Sequence, residues 1–131
     1  MLELTMATVS GDADSGATAG MQLVEAPSHP GAVLRLGRDR AQCRLVTPED
    51  WLFVSRVHLE FGCDADGGWT VGWLRGSHPE PSSRVRLITG GTERELDYGG
   101  SAALPRGGSG ELVVQDLSSA RTVNLGFYHE A

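Results

Sequence analysis

Arg38, Ser55 and His58 are the residues whose types and spacing could do chemistry. Arg38 follows Gly37 at the end of an alternating run, Ala32 to Leu36. Seventeen residues on, Ser55-Arg56-Val57-His58 leads into a second such run. A Gly before an Arg lets the backbone turn sharply or approach a ligand closely. The planar guanidinium fork suits a doubly charged phosphate, and a hydroxyl beside Arg56 would complete a clamp. The plainer reading of Arg38 is a surface side chain paired with Asp39 or Asp50. Ser55 and His58 could instead be a nucleophile and its base, but that chemistry also needs an orienter for the His and an oxyanion hole. No G-x-S-x-G elbow is present either. The expected role of His58 is structural, a ring nitrogen donating to a loop carbonyl and holding the Ser55 loop in place. No catalytic residue and no enzyme activity are expected.

Other motifs carry less. Gly107-Gly108-Ser109-Gly110 lacks the trailing Lys-Ser/Thr and following helix of a phosphate loop and reads as a β-turn connection. Asp12, Asp14 and the Asp-Ala-Asp at 64–66 lack the Gly and distal Glu of an EF-hand and read as solvated turns. Cys43 and Cys63 have no metal-ligand spacing; Cys43 alternates with Leu45 and is expected to point inward. No cofactor or metal is implied.

The elements that must position these residues are short. The chain has 131 residues, enough for one core, and 18 of them are Gly. Many apolar runs separated by Gly, Pro, Asp and Ser predict an all-β sandwich or barrel of about eleven strands. The first 20 residues read as a strand, Leu2 to Val9, and a flexible acidic loop; the main domain is read as 21–131. The net charge of −6 argues against generic nucleic-acid or anionic-membrane binding. All basic side chains are Arg, and eight of the eleven crowd into the middle of the chain, from Arg35 to Arg86, so one face is expected to be locally positive. The absence of a secretory h-region or a membrane-length apolar run predicts a cytoplasmic protein.

The set LRLGR (34–38), CRLV (43–46), VSRVHLEF (54–61) and GGWTV (67–71) resembles the forkhead-associated (FHA) domain family. That family is an eleven-stranded β-sandwich that binds phosphothreonine peptides. Further on, SSRVRLITG (82–90) lines up with the family's S-T-N-G-T-F-V-N-G, so the resemblance covers about 21–115. It implies that Arg38 and Ser55 are phosphate ligands, that Arg56 makes a second phosphate or peptide contact, and that Gly37 and His58 are scaffold. Ser83 stands where a Ser or Thr completes the phosphate site. Arg84 replaces the loop Asn that holds the peptide backbone, Val85 replaces a Gly, and Thr89 replaces a second Asn. The resemblance thus implies an adaptor for a phosphothreonine-containing protein, a Ser/Thr kinase or its substrate, with Arg84 as a third guanidinium selecting an acidic or doubly phosphorylated ligand. The alternative is a degenerate FHA scaffold for phosphate-independent protein assembly.

Overall fold

The computed structural model describes residues 1–10 and 18–131. Period-2 alternation sets the first strand. In β1 (Leu2–Val9), Leu2, Leu4 and Met6 are buried and the intervening side chains face outward. β2 (Thr18–Ala26) and β11 (Thr122–His129) flank it on either side, both antiparallel to it. β10 (Gly108–Asp116), β7 (Ser83–Thr89) and β8 (Thr92–Leu96) complete a six-stranded sheet in the order β2-β1-β11-β10-β7-β8. The second sheet has five strands, β4 (Leu45–Val46), β3 (Val33–Gly37), β5 (Leu59–Cys63), β6 (Trp69–Trp73) and β9 (Ser101–Ala103), in that order. Among the described residues only the short β3–β4 pair is parallel.

The inner faces meet in one core. Leu4, Leu36, Leu59, Phe61, Val71, Leu112 and Leu125 lie at its centre, and Trp69 is its largest fully buried side chain. Trp51, Phe53 and Val54, from the loop before Ser55, plug its rim. Burying a side chain of this size contributes about 1.5–3 kcal/mol, so the loop is anchored by its apolar members and presents its polar ones. Across the two edges, the Gln22 amide of β2 bonds both the carbonyl (2.7 Å) and the N–H (3.0 Å) of Val46 in β4.

Several boundaries differ from the sequence expectation. β2 begins at Thr18, inside the stretch read as loop; the rest of that expected loop, 11–17, lies outside the described residues. β1, set apart from a domain beginning at residue 21, is an interior strand of the six-stranded sheet. β7 begins at Ser83, two residues early, and β10 begins at Gly108, within the glycines read as a turn. Both cysteines are buried free thiols.

Candidate functional site

The site begins with a close approach that only Gly permits. A Cβ on Gly37 would stand 2.7 Å from the Arg56 carbonyl carbon and 2.9 Å from Val57 Cα, and nearer still to the Arg56 carbonyl oxygen. Without that Cβ, the end of β3 lies directly against residues 55–57. A seam of backbone bonds joins them: Arg38 N–H to Ser55 O at 3.2 Å, Asp39 N–H to Arg56 O at 2.9 Å, and His58 N–H to Leu36 O at 2.8 Å. Two loops distant in sequence are therefore held in register. The Arg38 guanidinium folds over the seam, where Nε donates to Val54 O at 2.5 Å and Nη1 to Glu49 O at 3.3 Å. It is thereby fixed one peptide from Ser55 while its other donors stay available. Neither Asp39 nor Asp50 pairs with it; among the described residues no carboxylate comes within 4.0 Å of Arg38. Arg38 and Ser55 are each half-buried.

His58 supports the loop from beneath, with a polarity opposite to the expected one. Its Nδ1 accepts the Ser55 N–H at 2.9 Å rather than donating to a carbonyl. That bond requires an unprotonated Nδ1, so the neutral ring carries its proton on Nε2, which faces Ser83 Oγ at 3.3 Å. The ring is 2% exposed, and burial pushes its pKa down to about 4. Neither ring nitrogen bonds the Ser55 hydroxyl.

The remaining expected residues divide among separate hollows. Arg38 and Arg56 line one cleft together with Arg40. Ser55 lines a small neighbouring hollow with His58, Trp73 and Tyr98, and its Oγ faces Gly76. Ser83 was expected to complete the phosphate site; at 1% exposure it lies under the surface as the partner of His58. Arg84 was expected as a third guanidinium, but it sits in strand β7, and Nε and Nη2 both bond Glu95 Oε1 of β8, the former at 2.6 Å. It belongs to a third hollow, with Glu95, Leu96 and Leu117. Val85, in the family's Gly position, is core, paired to Val114 and Leu96. The expected positive face is also reduced: Arg35 pairs with Glu60 at 2.9 Å and Arg86 with Glu93 at 2.7 Å.

Two contributors escaped the sequence reading. Tyr98 OH accepts the Gly76 N–H at 2.7 Å and donates to His78 O at 3.0 Å, and Arg75 lies 4.6 Å over its ring. One phenol thus organises the Pro- and Ser-rich 75–81 loop; a Tyr just before the Gly99-Gly100 turn was the available signal. The other is Arg40, the third guanidinium of the cleft beside Arg38. Three cationic side chains about one fixed seam can hold a dianion.

A scan of protein-family models and a search of curated proteins find no match for the chain. Solved structures do match its fold. An engineered FHA domain with a Myc-pTBD peptide superposes with a TM-score of 0.60 at 15% identity, over 96% of this chain and 91% of that one. The N-terminal FHA domain of S. cerevisiae Rad53p, in complex with a phosphothreonine peptide, gives 0.60 at 13% identity, over 95% and 93%. The class defined here is the FHA-type β-sandwich. This chain has that fold over nearly its whole length, and most of the stretch 82–90, expected from the resemblance to read peptide, forms strand β7 (Ser83–Thr89).

Proposed function

We propose that the protein is a phosphothreonine-peptide-binding module, with Arg38 and Arg56 forming the phosphate end of its site and the Ser55 loop, whose hydroxyl lines the neighbouring hollow, bordering it. The observation that carries this reading is the Gly37 seam, which holds the Arg38 guanidinium beside the Ser55 loop with no carboxylate partner among the described residues. The binding of phosphothreonine peptide by Rad53p, whose N-terminal domain shares the fold, supports it. The module would act as an adaptor in Ser/Thr kinase signalling, docking a kinase or its substrate and performing no reaction. The engagement of both His58 ring nitrogens away from the Ser55 hydroxyl supports that last point.

One observation favours a second reading, phosphate-independent assembly. Ser83, expected to complete the phosphate site, and Arg84, expected at the peptide-reading position, are taken up by His58 and Glu95. Calorimetric titration separates the two. The best binder from a degenerate phosphothreonine peptide library should lose its affinity when unphosphorylated, and Arg38→Ala should weaken it about a hundredfold, as expected for loss of charge-assisted bonds. Equal affinity for the two peptide forms overturns the proposal.

A further inference from the structure

The edge of a sheet is a row of unpaired backbone N–H and C=O groups, which a folded chain must blunt or pair. The two sheets end in four such edges, β2, β8, β4 and β9. β8 is blunted by three successive charges, Glu93, Arg94 and Glu95. β4 has two residues and β9 three, too few to template a long partner. β2 has nine residues, and from Thr18 to Val24 the sequence includes no charge and no Pro. Its Met21 and Leu23 are 70% and 65% exposed. They stand beside Ala7 and Thr5 of β1, both half-buried on the outer face. Among the described residues, the backbone of β2 pairs only with β1. The edge with the longest run of uncharged residues is thus the one left without protection.

The surroundings of this edge narrow the choice of occupant. A hollow of about 490 Å³ opens along it, lined by Met21, Gln22, Val46 and Thr47. Gln22, bonded through its amide to Val46, fixes β2 against β4 at that corner. Arg40 and Glu49 also line the hollow. Both are exposed, and neither forms an ion pair within 4.0 Å among the described residues. A strand that fits here must bring apolar side chains to Met21 and Leu23 and one charge of each sign to Arg40 and Glu49. A second copy of this chain brings both. Antiparallel pairing of two β2 strands about a two-fold axis at Gln22 sets Met21 of each copy opposite Leu23 of the other. Glu25 then falls opposite residue 19 and not opposite its own copy, so no like charges face each other along the pair. The same axis brings the two hollows together, where Arg40 of one copy can meet Glu49 of the other, twice over.

We infer that the β2 edge is a self-association surface, on which two copies pair β2 against β2 and join their six-stranded sheets into one. The surface needs no phosphate and does not rest on the phosphothreonine reading. One strand edge and a few flanking side chains make a small interface, of the kind that forms weak and reversible dimers.

The test is sedimentation equilibrium on the wild-type chain. It should pass from monomer to dimer between about 10 μM and 1 mM, the range of a small interface. Leu23→Lys should raise the dimer dissociation constant at least about tenfold, since it removes two apolar contacts per dimer and places a Lys on each edge. That change lowers the net negative charge, so general repulsion cannot cause the loss. Leu23 is exposed, and the variant's urea midpoint at monomer concentrations should match wild type. Arg40→Glu and Glu49→Arg should each weaken the dimer roughly fivefold, and the double variant should recover it, because the two pairs are then re-formed with signs exchanged. A wild type that stays monomeric at the top of the concentration range overturns the inference and leaves the edge to a strand of another chain. A dimer that Leu23→Lys leaves intact, or charge reversals that do not rescue one another, overturns the β2–β2 arrangement.

Discussion

Replacing Gly37 by Ala perturbs the site at its foundation while changing no charge. The new methyl would stand 2.7 Å from the Arg56 carbonyl carbon, roughly 0.8 Å inside the 3.5 Å lower limit of ordinary carbon contact. The atoms it meets, at Arg56 and Val57, are backbone, so no side chain can swing aside. The 55–57 segment must retreat by about that distance, and the Asp39–Arg56 bond, now 2.9 Å, would pass beyond bonding range. Overpacking of this kind costs about 1–3 kcal/mol, and each backbone bond lost adds about 0.5–1.5 kcal/mol. We expect Gly37→Ala to be destabilised by about 2–4 kcal/mol, read from the midpoint of urea denaturation with the slope unchanged. Phosphothreonine-peptide affinity should fall at least tenfold at temperatures where the variant remains folded. A variant within about 0.5 kcal/mol of wild type, the range of ordinary surface changes, would refute the claim that this seam is closed by the absence of a Cβ.

Two further perturbations follow from the same contacts. His58 has a folded pKa of about 4 against an ordinary 6.5, so the unfolded chain takes up its proton first. The neutral ring's contribution is therefore complete above pH 6.5 and drains away as pH falls toward 4, by roughly 3 kcal/mol over that window. Denaturation of wild type and His58→Asn at pH 7.5 and 4.5 should show the smaller pH dependence in the variant; equal dependence would contradict the assignment. Arg84→Ala removes a salt bridge whose side chains are more than half exposed, so stability should change by about 0–1 kcal/mol. Peptide affinity should change by less than about threefold, because Arg84 faces Glu95 and not the seam. A loss comparable to that of Arg38→Ala would show that Arg84 leaves Glu95 to contact ligand.

How far the sequence could be read depended on whether local pattern or a distant partner fixed each element. β1 was legible because Leu2, Leu4 and Met6 alternate with outward residues and all three reach the core. The Gly37-Arg38 and Ser55–His58 pairings were legible as motifs, but the seam joining them depends on a steric clearance that spacing does not express. The start of β10 at Gly108 is hidden in the sequence because glycines there resemble a turn. Gly110 is a strand residue opposite Phe127, and a Cβ on it would stand 2.6 Å from the Phe127 ring. The start of β7 is hidden because Ser83 is polar at an inward position, where the distant His58 satisfies it. The fate of Arg84 depended likewise on Glu95, eleven residues away on the neighbouring strand.

The most direct measurement is a titration of uniformly ¹⁵N-labelled protein with a phosphothreonine peptide, followed by amide NMR shifts. The account predicts that the largest changes fall on the backbone amides of Arg38, Ser55 and Arg56, and that an unphosphorylated peptide leaves them in place. Shifts centred instead on β2 or β8, with the Arg38–Ser55 seam unmoved, would contradict it.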